Sequence, residues 1–341
     1  FINSNKQKIS AWWNQIEKWR IKKTEPDYRI TNNNRNTCAY QYPVNDNTVI
    51  SLIDSSANGY GMASTVTRPL DINSDGNIVV VYRQYAGENT THGQLGAGYS
   101  QTNPNGGLSW EVQYNVNYNG NPPWGGGGVG DQGTAQARYP SGIASNDYPY
   151  AIWNEYTGNV TGWPSTCSDY GGRPYFSYDE FGWNGESWLY PAELDPLYDC
   201  TKDLWAGSVG YGYDASSSQH HITAVYSDWT RTGSWLFTSE EVADGYIVLG
   251  TETLIINPAH VNDDYTSSAL LSMNDNGQGL LGVDGYFNGY NPEDGTCVAP
   301  ASNILCDYKT PMFKITNNYG ATWVGDHSAF DFYYVPESVF E

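Results

Sequence analysis

The chain of 341 residues carries 37 acidic against 16 basic residues, a formal net charge of −21, and is rich in Tyr (29), Trp (13) and Gly (37) with only 3 Met. That balance argues against nucleic acid as a partner, because phosphate binding needs a cationic footprint, and no apolar run reaches the ~18 residues of a bilayer-spanning helix. With 16% charged residues there is little material for amphipathic helices, and the aromatic and turn-forming residues predict many short strands in an all-β, extracellular or cell-surface protein.

Residues 1–27 differ in kind from the rest. Ile9, Trp12, Trp13, Ile16 and Trp19 recur near helical spacing and predict a short N-terminal helical arm. Positions 1–25 hold six Lys/Arg against two Glu, which leaves ten basic and 35 acidic residues in the remainder. The arm has three open destinations: folded back on its own acidic body, laid on a membrane surface that this body opposes, or docked on a neighbouring copy. In the docked case Trp12, Trp13 and Trp19 are the anchors, and a homo-oligomer or polymer results. The start at Phe1, without Met or a signal-peptide pattern, reads as a processed or excised product.

Residues 28–341 read as one repeated domain. Tyr40 to Asp54 resembles the first two strands of a blade. Arg68 to Ile72, a turn at 73–77, and Ile78 to Tyr82 form a strand–turn–strand phrase. It returns at Tyr139 to Trp153, again from Trp205 to Tyr226, and a fourth time from Tyr265 through Asn274–Gly277 to Gly289. Such internal repetition is the mark of a propeller or solenoid. The expectation is four recognisable blades with partial blades at both ends. Phe330 to Tyr334 is then the first strand of a further blade, which closes with the chain's beginning or continues beyond Glu341. Among the five cysteines, Cys297 with Cys306 and Cys167 with Cys200 are candidate disulfides, leaving Cys38; five reduced thiols are the alternative.

Two stretches share one eight-residue pattern: Asn103 to Trp110 and Thr316 to Trp323. In each, an Asn amide (Asn105, Asn318) can bond the turn's own backbone, a Gly (Gly107, Gly320) can take positive φ, a hydroxyl (Ser109, Thr322) follows, and a Trp (Trp110, Trp323) can plug an apolar gap. The pattern resembles the Asp-box of sialidase-like β-propellers. That resemblance implies antiparallel blades, boxes between strands three and four, and a binding face on the opposite side, where the connections after strand two lie. By strand order that face collects Arg68, Arg83, Tyr85, Arg138, Glu155, Tyr156, Asp228 and Trp229. Arginines, a tyrosine and carboxylates are what a sialidase uses to hold a sugar carboxylate and cleave its bond, yet the family's Arg-Ile-Pro motif is missing.

Other motifs lead less far. Asp71, Asn73, Asp75, Gly76 and Asn77 begin like a calcium loop, but position twelve is Tyr82 and the segment reads as a hairpin turn. No cofactor or metal site is expected from a complete motif, with Ca²⁺ elsewhere left open. Gly125 to Gly130 spells a dinucleotide fingerprint without the strand and helix it requires. His220 and His221 are adjacent and so point to opposite faces of a strand. The expected function is a non-catalytic extracellular propeller, structural or adhesive, with glycan or surface-protein ligands. The alternatives are a sialidase-type glycoside hydrolase and a dedicated filament or lattice subunit.

Overall fold

The computed structural model describes residues 52–56, 67–85, 93–102, 108–114, 116–117, 137–156, 172–184, 187–188, 192–193, 202–228, 233–243, 245–249, 252–261, 268–286, 290–291, 296–297, 309–326, 331–335 and 339. All belong to the second of two compact units, 52–341. The helical arm with Trp12, Trp13 and Trp19, the box residues Asn105 and Gly107, the side chains of all five cysteines, and the Gly125–Gly130 loop lie outside the described residues.

The unit is all-β. Its first sheet contains β1 (Leu70–Ile72), β2 (Ile78–Arg83), β3 (Leu95–Thr102) and β4 (Leu108–Tyr114), and the second β5 (Arg138–Ala144), β6 (Pro149–Tyr156), β7 (Gly172–Tyr178) and β8 (Ala192–Glu193). The third has β9 (Leu204–Asp214), β10 (Gln219–Asp228), β11 (Ser234–Ala243) and β12 (Tyr246–Leu249), with β13 (Thr253–Ile256) also pairing β11. The fourth joins β14 (Leu270–Met273) and β15 (Gly279–Gly285), then, past a small hairpin of β16 (Tyr290–Asn291) and β17 (Thr296–Cys297), β18 (Thr310–Thr316) and β19 (Tyr333–Tyr334). Each sheet is an antiparallel meander in chain order, and the four strand–turn–strand phrases of the sequence are its first two strands. One 3₁₀ turn, Gly182–Asn184, accompanies them among the described residues.

Three apolar cores lie between consecutive sheets. Val79, Val81 and Leu95 of the first meet Ala151, Trp153 and Tyr175 of the second; Ile152 and Phe176 of the second meet Ile222, Ala224 and Tyr226 of the third; Val225 and Leu236 of the third meet Leu271, Leu281 and Met312 of the fourth. Period two explains the assignment: on β6, Tyr150 and Ile152 face one neighbour while Ala151 and Trp153 face the other. A strand buried on both faces reads as an unbroken apolar run, as Tyr150-Ala151-Ile152-Trp153 does. Face-to-face stacking in sequence, with first strands innermost, is a propeller-like fold.

The turn 316–323 shows how a blade is tied to its neighbour. Thr316 Oγ1 accepts from the amides of Asn318 (3.3 Å) and Gly320 (3.1 Å), and Asn318 Oδ1 accepts from the amide of Thr322 (3.0 Å). Tyr319 stacks on His221 of the third sheet at 4.5 Å between ring centres, and Trp323 packs half-buried against the core between the third and fourth sheets. In the first sheet, Ser109 and Trp110 sit within β4. One expectation is corrected: Tyr333–Tyr334 is the fourth strand of the last sheet, paired with Met312 and Phe313, and not the first strand of a further blade. The segment after Trp323 returns to the free edge of β18 because that edge still offers unpaired amides.

Gly320 has φ +85°, and a Cβ there would stand 2.5 Å from Thr223 Oγ1. Gly320→Ala is therefore expected to lower stability by about 1–2 kcal/mol from backbone strain alone. Trp323→Ala, which removes a half-buried ring, should lose about 2–3 kcal/mol, less than the ~3–5 of a fully buried aromatic. Both are measured by urea unfolding, and an unchanged midpoint in either would show that this turn does not tie the last two sheets together.

Candidate functional site

The inner strands β1, β5, β9 and β14 surround a cavity of about 210 Å³, lined by Arg68, Asp71, Asn73, Asn146, Tyr211 and Asp275. Two short turns build its rim. Asn73 Oδ1 accepts from the amides of Asp75 (3.0 Å) and Asn77 (2.9 Å), and Gly76 follows at φ +81°. Asn274 does the same in the fourth sheet, with Asn276 and Gln278 as donors at 3.0 Å and Gly277 at φ +72°. These are side-chain-closed hairpin turns, the structural reading of the segment that begins like a calcium loop.

Each turn delivers a carboxylate. Asp71 Oδ2 accepts the amide of Ala144 in the next sheet at 2.9 Å, and Asp275 Oδ1 accepts that of Tyr213 at 3.2 Å. Burial pushes the Asp71 carboxyl above its ordinary value, against the weaker downward pull of the Ala144 and Ile72 amides and of Arg68. Arg68 reaches across the axis, with Nη2 3.5 Å from Ser272 Oγ of the fourth sheet. Two carboxylates, one guanidinium, amides and a phenol around a small space suit a compact, hydroxyl-rich ligand.

At the other end of the second and third sheets lies a packed charge cluster. Arg173 is fully buried and donates through Nη1 to the carbonyls of Gly172 (2.8 Å) and Lys202 (2.6 Å). Asp203 accepts from the Gly172 amide at 2.7 Å and from the Trp205 indole, and its own amide donates to Asp228 at 2.8 Å. Burial raises the Asp203 carboxyl, its bonds to Gly172 and Trp205 lower it, and Asp228 raises it. Lys202 pairs with Glu252 and stands 3.9 Å over the Trp235 ring. Tyr139, at φ +52°, meets Trp205 edge-on. These contacts close on backbone, indole and one another, and they fasten strand ends together.

The residues expected on one ligand face are thus distributed. Arg68 lines the axial cavity. Arg83 is buried at the end of β2, Tyr85 is half-buried beside it, and the Tyr85 amide donates to Ser55 O. Arg138 begins β5 with Nη1 on the carbonyl of Ala137, and Asp228 belongs to the buried charge cluster. Glu155 and Tyr156 end β6; their side chains, and Trp229, lie outside the described residues. Asp71, Asp275, Asn146 and Tyr211 were missed as site residues. The repetition of Asn73 and Asn274 at equivalent turns was the available signal.

No protein family and no curated protein matches the chain. Among solved structures it is similar to the exo-beta-1,3-galactanase of Phanerochaete chrysosporium (TM-score 0.40, 10% identity, 80% of this chain and 52% of that one). It is also similar to the endo-arabinase of Bacteroides thetaiotaomicron (0.39, 9%, 76% and 80%) and to a family 117 glycoside hydrolase of Zobellia galactanivorans (0.38, 11%, 83% and 72%). The chain spans about half the length of the galactanase. The sialidase-like expectation holds as far as a propeller-like fold. The expectation of a non-catalytic structural or adhesive protein is corrected, since the proteins it is similar to are glycan-degrading enzymes by name.

A carboxyl raised on folding stabilises the fold when protonated, and that contribution is lost as pH climbs from the ordinary 3.8 through the raised value. Asp71→Asn keeps an oxygen for the Ala144 amide and removes the charge. At pH 7 the variant should melt at or above the parent's temperature, with the difference gone below about pH 4. A variant that is less stable than the parent at pH 7 and equal to it at low pH would mean that the ionised form is the stabilising one.

Proposed function

We propose that the protein is a glycoside hydrolase acting on an uncharged sugar at the axial cavity. The observation that carries this reading is that Asp71 and Asp275, from different sheets, line one small cavity together with Arg68. Glycosidic cleavage uses two carboxyl groups in opposite protonation states. Asp71, raised by burial, is assigned as the acid that gives its proton to the leaving oxygen. Asp275, on an exposed turn, is the carboxylate that activates water or meets the anomeric carbon. Burial that separates the behaviour of two like groups is the usual route to such a division.

Charge selects the class of substrate. The negative charge of a sialic acid needs a surplus of cations, and among the three arginines expected to clamp it only Arg68 lines the cavity. One guanidinium against two carboxylates leaves no positive surplus, which favours a neutral sugar. An acidic, aromatic-rich all-β chain accords with work outside the cell, and the sialidase-type alternative is thereby narrowed to a neutral glycosidase.

The test is a panel of β-galactans, arabinans and sialosides between pH 4 and 8, with release of reducing sugar as the readout. Turnover is expected on a neutral glycan, with Asp71→Asn and Asp275→Asn each reducing kcat by about 10²-fold or more while melting no lower than the parent. Absence of turnover on every neutral glycan, or full activity in both variants, overturns the proposal.

A further inference from the structure

The turn that leaves β7 carries an aromatic ring out of the protein beside the cavity rim. Phe181 is 70% exposed, in a turn, where small and polar residues are the rule. A single exposed apolar side chain is ordinary; one whose backbone is fixed on both sides is not. Buried Asp179 closes the turn: its Oδ1 accepts the Phe181 amide at 3.0 Å, its carbonyl accepts the Gly182 amide at 3.1 Å, and its Oδ2 accepts the Ser187 amide at 3.1 Å. Past Phe181 the chain turns inward again, with Gly182 and Trp183 buried and Trp183 Nε1 donating to Ser145 O at 3.0 Å. The ring is thus held up between two buried anchors, and covering it costs only the freedom of its own side chain.

The same anchors fix where the ring stands. Gly182, at φ +76°, lies so close to the β5–β6 turn that a Cβ there would be 2.7 Å from Asp147 O. The residue before Asp147 is Asn146, which lines the cavity and accepts from Ser74 Oγ of the β1–β2 turn at 3.3 Å. A continuous rim therefore runs from the cavity through Ser74, Asn146 and Asp147 to Phe181, and all four side chains are exposed.

We propose that this rim is a second carbohydrate-binding site, along which a neutral glycan chain runs outward from the cavity and lays one of its sugar rings on Phe181. It rests on the glycosidase reading of the cavity, which supplies the other end of the same ligand. A sugar ring has a C–H face that sheds water onto an apolar surface and a hydroxyl edge that needs donors and acceptors. Hydroxyl, amide, carboxylate and phenyl, met in that order along the rim, offer both. Charge restricts the ligand further. Asp147 and Glu180 are exposed on either side of the Phe181–Gly182 step, so an acidic polysaccharide is repelled there and an uncharged one is not. Binding energy gained this far from the cavity reaches only a ligand long enough to span the rim, so the site selects chains over short glycosides.

The test compares the full chain with Phe181→Ala and Phe181→Tyr, changes at an exposed ring that should leave the unfolding midpoint where it is. Kinetics are measured on galactose and arabinose oligosaccharides from the disaccharide to the hexasaccharide. In Phe181→Ala, KM for the hexasaccharide should rise about tenfold with kcat unchanged, the disaccharide should be unaffected, and Phe181→Tyr should behave as the parent. An unchanged KM for the hexasaccharide, or an equal loss on the disaccharide, overturns the proposal. Binding is read separately by electrophoresis through gels containing galactan or arabinan, which needs no turnover. Retardation of the parent that is lost in Phe181→Ala supports the site, and if no glycan is hydrolysed in parallel the glycosidase reading alone fails. A parent that runs freely in both gels, or a Phe181→Ala variant that is retarded equally, overturns the site even where short glycosides are cleaved.

Discussion

The fold depends on satisfying the inner edge of each sheet. The first strands β1, β5, β9 and β14 are paired on one side only, so every sheet presents a row of amides and carbonyls toward the axis, where water is scarce and an unpaired group costs about 1–3 kcal/mol. The protein answers with bonds from each edge to the next sheet. Gly142 N donates to Arg68 O at 2.8 Å, and Arg68 N to Ser141 Oγ at 3.1 Å. Leu271 N donates to Ser208 Oγ at 2.9 Å, and Asn154 Nδ2, from the second strand of its sheet, donates to the edge carbonyl of Leu204 at 2.9 Å. Small residues let the edges come this close. A Cβ on Gly142 would stand 3.0 Å from Val79 Cγ1 of the first sheet, and one on Gly210 would stand 2.2 Å from Leu271 Cδ2 of the fourth.

That requirement also places the chemistry. Asp71 and Asp275 lie where they do because each accepts an edge amide of a neighbouring sheet with one oxygen. An oxygen engaged in this way fixes the position of the carboxyl group. Burial raises the Asp71 carboxyl, whereas Asp275 sits on an exposed turn. The same ionisation opposes folding at neutral pH, so the site carries a stability cost that a purely structural clip would avoid. The charge cluster around Arg173 and Asp203 shows the contrast: there the bonds close inward on backbone and indole, and the result is fastening.

Aromatic residues carry the bulkiest part of the packing. Trp153, Tyr150, Phe176 and Tyr226 are among the largest fully buried side chains, and each supplies area at the modest entropy of two torsions. Near the axis the same residue type meets a titratable partner. Tyr148, Tyr211 and Tyr213 surround the buried His220.

By itself the sequence determined the class and the repeat. Alternation and turn residues are local signals, so the phrases at 68, 139, 205 and 265 already located the paired first and second strands of each sheet, and Thr316 to Trp323 already specified a turn with its own hydrogen bonds. His220 and His221 could be sent to opposite faces from adjacency alone. What the sequence left open was which residues meet across the axis. The pair Arg68 and Asp71, Tyr211, and Asp275 come from three distant parts of the chain, and they share a cavity only because the inner strands converge there. Strand order placed Arg83 and Asp228 on a ligand face, whereas the tertiary structure buried both, since a residue at a strand end is free or enclosed according to what the next sheet brings against it. The role of Phe330 to Tyr334 was settled the same way. A short strand pairs with whatever edge is open beside it, and that edge belonged to β18. Local pattern sets what a segment becomes; the neighbours that must satisfy its edges set what it touches.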